Sequence, residues 1–190
     1  MVLWKISNHQ ALIEGNLGVG FLESGYFLGF GLILGGTLKG EATDWQTGFK
    51  SSLLFTGLAL VSLILVYFAH EGMTRYNVRQ GLRDGLASSG IESGAVLVAI
   101  SLPLRYAVSG DFTDWVPDIK SFLLNFAAGL VILYLGRWLV DKYILTSCTV
   151  SDLIENNAYA GMVVLGGSFI TISAIATVIV SQLGVPAIVQ

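Results

Sequence analysis

The chain has 190 residues, of which 54% are hydrophobic and 12% charged, with a formal charge of −3 and a mean hydropathy of +0.72. Soluble domains are roughly 45–50% apolar, so the composition points to the membrane class. Ten Lys and Arg against thirteen Asp and Glu leave no basic surface able to neutralise a nucleic-acid backbone, which argues against a nucleic-acid partner.

Met1 to Gln10 holds one Lys and no apolar stretch closed by a small-residue cleavage site, so no cleavable signal peptide is expected. The first membrane helix then serves as an uncleaved signal. Five stretches are long enough to cross about 30 Å of hydrocarbon at 1.5 Å per residue. They lie near Leu12 to Leu38, Ser51 to Ala69, Leu86 to Ala107, Ile119 to Val140 and Asn157 to Val180. Only helices keep every backbone group bonded there, and no alternating barrel pattern is present. The expected fold is all-α, a polytopic membrane protein forming one transmembrane domain over 1–190.

Pro103 falls near the end of the third span, where it kinks the helix or marks its exit. Leu183-Gly184-Val185-Pro186 reads as the stop of the last span. Trp45 and Trp115, ahead of the second and fourth spans, suit interfacial anchoring. The lone Cys148 sits among Thr146, Ser147 and Thr149, can form no intramolecular disulfide, and reads as an ordinary loop thiol. Six Lys and Arg flank one side (Lys5, Arg75, Arg79, Arg83, Arg137, Lys142) and four the other (Lys39, Lys50, Arg105, Lys120). The bias predicts a cytoplasmic N-terminus and a periplasmic C-terminus.

The chain repeats. Leu12, Glu14 and Gly20 return as Leu82, Asp84 and Gly90 and again as Leu153, Glu155 and Gly161, at steps of 70 and 71 residues. Thr43-Asp44-Trp45 with Lys50-Ser51 returns as Thr113-Asp114-Trp115 with Lys120-Ser121, displaced by 70. Units of about 12–81 and 82–152 and a half unit 153–190 follow. Each whole unit carries two spans, so successive units enter the membrane from the same side as parallel repeats.

A leading carboxylate with Asn and a small-residue helix, in Glu14-Gly15-Asn16 with Gly20 and Glu155-Asn156-Asn157 with Gly161, resembles the YjfL-like family of bacterial membrane proteins, the domain of unknown function 350. The middle copy departs, with Asp84-Gly85-Leu86 and no Asn. The resemblance implies a bacterial inner-membrane protein, in a family associated with envelope stress and membrane maintenance. It brings no catalytic residues.

Glu14, Asp84 and Glu155 are placed by the repeat near the starts of three like-oriented helices, where the helix dipole favours negative charge. As an alternative they form a ring of carboxylates at the mouth of a cation pathway, with Asn16 and Asn157 adding amide ligands. Glu23 and Glu92 stand in identical Glu-Ser-Gly tripeptides, about 12–14 Å beyond the leading carboxylates. That puts them near mid-membrane, where a charged carboxylate is costly. They either pack as protonated, hydrogen-bonded acids or handle protons or cations. Gly25 to Gly29 and Gly31 to Gly35 match the small-xxx-small pattern of close helix contacts, and Gly20, Gly90 and Gly161 recur at one register. Asn125 is expected to bond between helices.

His9 and His70 read as interfacial histidines on the cytoplasmic side, with no spacing that selects a metal. No phosphate loop, His-Glu-x-x-His element or nucleophile elbow is present, and no cofactor is expected. Two functions remain: a non-enzymatic envelope or scaffold protein, forming homo-oligomers or contacting envelope-stress partners, and a small proton or cation channel or transporter.

Overall fold

A computed structural model describes residues 8–73, 77–143 and 150–182. Residues 1–7 with Lys5, 74–76 with Arg75, 144–149 with Cys148, and 183–190 with the Leu183 to Pro186 stop lie outside them. All regular structure among the described residues is helical: α1 (Asn8–Ile13), α2 (Leu17–Thr37), α3 (Trp45–Met73), α4 (Val78–Arg83), α5 (Ala87–Ala107), α6 (Trp115–Tyr143), α7 (Val150–Glu155) and α8 (Tyr159–Gln182). Five of these, α2, α3, α5, α6 and α8, are long and apolar enough to cross a membrane.

The first span is shorter than its apolar run. Leu12 and Ile13 belong to α1, and the chain turns before α2 through three backbone bonds, Glu14 N–H to Gln10 O, Gly15 N–H to Leu12 O and Asn16 N–H to Ala11 O. The same three bonds close α4, from Asp84 to Gln80, Gly85 to Leu82 and Leu86 to Gly81, and α7, from Asn156 to Asp152, Asn157 to Ile154 and Ala158 to Leu153. The middle residue of each turn is left-handed, with φ of 80° at Gly15, 74° at Gly85 and 46° at Asn157. Glycine carries no penalty there, and Asn is the side chain that best tolerates it. This backbone aligns the three turns at steps of 70 and 72 residues, not 70 and 71. Asn157 therefore stands where the earlier turns have Gly15 and Gly85, not where Asn16 stands.

The second-type helices are longer than their apolar runs, starting at Trp45 and Trp115 in place of Ser51 and Ile119. Asp44 starts α3: one carboxylate oxygen accepts from Gln46 N–H (2.9 Å) and Thr47 N–H (3.0 Å), the other from the Thr47 hydroxyl (2.7 Å). This satisfies donors that a helix start leaves free. Trp45 is mostly exposed and Trp115 borderline. α5 runs through Pro103 to Ala107, and Gly129 of α6 packs on that buried proline.

Helices α2, α5 and α8 run parallel in one row. Gly18 lies against Leu86 and Gly90, Gly25 against Gly94, Gly29 against Ser101, and Gly36 against Arg105. A methyl group on Gly25 or Gly90 would overlap the facing backbone, so these glycines set the α2–α5 spacing. Further along the row, Gly166 of α8 faces Ala95, and the Ser173 hydroxyl donates to Ala99 O of α5. The antiparallel helices form a second layer, α3 over α2 and α5, α6 over α5 and α8. Ser52 and Thr56 tie the start of α3 to Thr37 at the end of α2, and Phe55 meets Phe122 of α6. Helix α5 is the hub: 83% of its apolar window is buried, against 22–33% in the other four spans.

Candidate functional site

Helix α5 enters the row at Ala87, and its first two turns carry Ser88, Ser89, Glu92 and Ser93, all fully or almost fully buried. The end of α3 crosses this segment. His70 Nε2 lies 3.0 Å from Glu92 Oε1, with side-chain exposures of 4% and 1%. Tyr134 of α6 stacks obliquely near the imidazole at 6.3 Å. His70 is thus buried inside the bundle, not exposed at its surface. It faces inward because α3 continues past the apolar run, and the residue three positions earlier, Tyr67, is buried on the same side.

Three buried hydroxyls lie close by on the same helices: Tyr67 Oη one turn before His70, Ser93 Oγ beside Glu92 and Ser89 Oγ one turn before it, with the Tyr67 and Ser93 hydroxyls near enough to bond to each other and Ser89 Oγ without a partner among the described residues. Unsatisfied polar atoms are rare in packed interiors. A small cleft of about 20 Å³ opens beside His70 and Tyr134, lined otherwise by Val96, Ala99, Ile100, Leu133 and Phe169. The site is a polar cluster beside a small apolar cleft, with an imidazole nitrogen and a carboxylate oxygen at hydrogen-bonding distance. Among the described residues no three His, Cys, Asp or Glu side chains come together as a metal site.

Neither intramembrane glutamate is at mid-span. Glu92 is five residues past the start of α5 and Glu23 six past the start of α2, about 8–9 Å in at 1.5 Å per residue. The turns at Gly15 and Gly85 break the continuous helix on which the deeper placement rested. Glu23 is only half-buried and accepts a hydrogen bond from Asn8 Nδ2 of α1. Its neighbour Ser24 is exposed and bonds back to Gly20 O.

Glu14, Asp84 and Glu155 do not begin helices. Glu14 follows the end of α1, Asp84 is the C-terminal cap of α4, and Glu155 is the last residue of α7. All three are exposed. Each is bonded to a side chain one turn earlier: Gln10 to Glu14 (2.9 Å), Gln80 to Asp84 (2.8 Å) and Ser151 to Glu155 (3.3 Å). Glu155 is also out of register, matching Ile13 and Arg83 by backbone position. The dipole explanation fails, since the C-terminal end of a helix disfavours negative charge.

Asn16 and Asn157 hold the row together. Asn16 caps α2 through Val19 N–H (2.9 Å) and donates to Leu82 O of α4 (2.9 Å). The N-cap position of helix α5 is Leu86, whose side chain cannot cap it. Asn157 Oδ1 supplies that function from another segment by accepting from Ser88 N–H (3.1 Å). The missing Asn of the middle copy is replaced across the row. Among the glycines, Gly25, Gly29 and Gly90 lie in the α2–α5 contact, whereas Gly20 and Gly161 face Leu12 and Leu153 of the short helices preceding their own. Asn125 donates within α6, to Ser121 O (3.0 Å) and Oγ (3.2 Å).

A family model, Domain of Unknown Function (DUF350), matches residues 44–180, which span α3 to α8 and so include the whole His70–Glu92 site. The chain belongs to the DUF350 family. The matched segment starts after α2, so the Glu14-Gly15-Asn16 motif lies outside it. A relative described as "UPF0719 transmembrane protein", from Aquifex aeolicus (strain VF5), is 22% identical over 174 residues, covering 88% of this chain. The chain spans 63% of that relative's length. No solved structure matches.

Proposed function

We propose that this DUF350 protein is a non-enzymatic inner-membrane protein that binds and passes protons, with Glu92 and His70 as the proton-holding pair. The observation that carries the reading is the 3.0 Å contact between the two side chains inside the membrane-spanning region, both almost fully buried. Ionisable groups at such positions are expensive to keep and mark pathways for ions or protons. The neighbouring Ser89, Ser93 and Tyr67 hydroxyls extend the polar track along α5 and α3. The excess of Lys and Arg on one side supports a cytoplasmic N-terminus.

The test is proton flux into liposomes containing the purified protein, comparing the parent with Glu92→Gln, His70→Gln and Glu23→Gln at equal insertion. Flux should fall at least tenfold in Glu92→Gln and His70→Gln and persist in Glu23→Gln. A parent no more conductive than empty liposomes under either gradient would remove the proposal. The second reading, a scaffold that recruits envelope partners, is favoured by the glycine-tight α2–α5–α8 row. It predicts unchanged flux and altered co-purification of partner proteins.

A further inference from the structure

The row α2–α5–α8 uses one pair of helix faces twice. The face that α2 turns to α5 contains Gly18, Phe21, Gly25 and Gly29. Seventy residues on stand Ser88, Ile91, Ala95 and Ala99, and these are the α5 residues that meet α8, through Asn157, Gly166 and Ser173. The opposite face of α5, which receives α2, includes Gly94 and Ser101. Seventy-two residues on stand Gly166 and Ser173, the residues by which α8 receives α5. The offsets are those of the three turns, so helix spacing, register and hydrogen bonding advance together. The short helices are held in a comparable way: Asn16 at the start of α2 donates to Leu82 O, and Ser88 at the start of α5 donates to Ile154 O, the two acceptors being 72 residues apart.

Both ends of this series are open. The donating face of α8, by the same offset, is Ala160, Val163, Gly167 and Thr171, all exposed. The receiving face of α2 is Ser24, Phe27, Gly31 and Gly35, also exposed, and among the described residues nothing lies within 4 Å of a methyl group placed on Gly31, Gly35 or Gly167. We infer that α8 of one copy docks on α2 of a second copy, repeating the interface already made twice within the chain. The occupant is another copy because each open face occupies, position for position, the register of a face already paired within the chain, with a small residue kept at Gly167 (as at Gly25 and Ala95) and at Gly31 (as at Ser101). The contact is head-to-tail and therefore builds a ring or a continuing row, not a two-fold dimer. It is independent of whether protons are moved.

Disulfide trapping in native membranes tests the register. With Cys148→Ser as background, Gly31→Cys and Thr171→Cys stand in the positions of Ser101 and Gly29, which touch within the chain. Co-expressed as separately tagged single variants, they should form a mixed disulfide at least tenfold above the lipid-facing control Leu65→Cys with Thr171→Cys. A disulfide only between two copies of Gly31→Cys would mean a symmetric contact and overturn the proposal, as would no cross-link above control. Mass measurement in lipid nanodiscs reads the same question without cysteines. The parent should contain more than one copy, and Gly167→Leu should be monomeric with helicity unchanged. A monomeric parent at every protein density would also overturn it.

Discussion

The tripeptide Glu-Ser-Gly occurs at Glu23 in α2 and at Glu92 in α5, and the two copies have opposite surroundings. In α5 the acid is 1% exposed and faces His70, and Ser93 is fully buried. In α2 the acid is half-buried against Asn8 of a short helix, and Ser24 faces outward. The sequence is the same, but α5 has neighbours on every side and α2 is the edge of the row. Local sequence places a carboxylate at a given depth; position in the row determines whether it becomes a buried, paired group.

The largest effect that would sharpen this contrast comes from removing the acids one at a time. Glu92→Ala takes one partner from a buried pair, a change that typically costs about 3–5 kcal/mol. Glu23→Ala removes one hydrogen bond at a half-exposed position, worth about 1 kcal/mol. Unfolding midpoints in bicelles titrated with SDS should rank the variants in that order. Equal losses would mean that burial at the hub does not separate the two sites.

Next in size is a methyl group added to the row. At Gly94 it would lie 2.5 Å from Phe21 O, and such overpacking costs about 1–3 kcal/mol. At Gly57, where a methyl group meets nothing within 4 Å, substitution by Ala should stabilise the helix by about 0.5–1 kcal/mol. The same SDS titration separates them by sign. A Gly94→Ala variant as stable as the parent would show that the α2–α5 spacing is not set by backbone contact.

Much of this architecture is legible in the sequence. Apolar runs locate five spans because only an uninterrupted helix is tolerated in hydrocarbon. The site is less legible. His70 lies one residue beyond the apolar run that ends at Ala69, and from composition it reads as interfacial, because hydropathy locates the membrane and not the inward face of a helix. The turns at Gly15, Gly85 and Asn157 are also hidden, since Leu12 and Ile13 continue the apolar pattern across a break. Their signal is Gly, Gly and Asn at backbone-equivalent places, which appears only when the second step is counted as 72.

Asn157 provides a third and smaller contrast, with Asn16. Asn16 caps its own helix, whereas Asn157 caps α5 from a different segment while holding a left-handed turn. Asn157→Gly keeps the turn and loses the cap, and Asn157→Ala loses both. The cap is worth about 1 kcal/mol, and a left-handed Ala adds about 1 kcal/mol more. SDS midpoints should therefore fall in two steps, Gly then Ala. If Asn157→Gly equals the parent, the cross-row cap does not contribute to stability.

The smallest expected effect compares the starts of α3 and α6. Asp44 is solvent-exposed, and its carboxyl is held below the ordinary value of 3.8, first by the Thr47 hydroxyl and then by the Thr47 and Gln46 amides. The matching Asp114 accepts from Trp115 N–H (2.8 Å), while the Thr113 amide and hydroxyl bond instead to Asp118, which is fully buried. A carboxyl whose folded value is lowered contributes stability that is fully present above 3.8 and is lost as pH falls through the folded value. Protection of the first-turn amides of α3, read as exchange relative to the intrinsic rate at each pH, should therefore fall below about pH 4 in the parent. Asp44→Asn should show protection there that does not change across that range. An acid-induced loss of protection that persists in Asp44→Asn would assign it to another group and remove the distinction between the two helix starts.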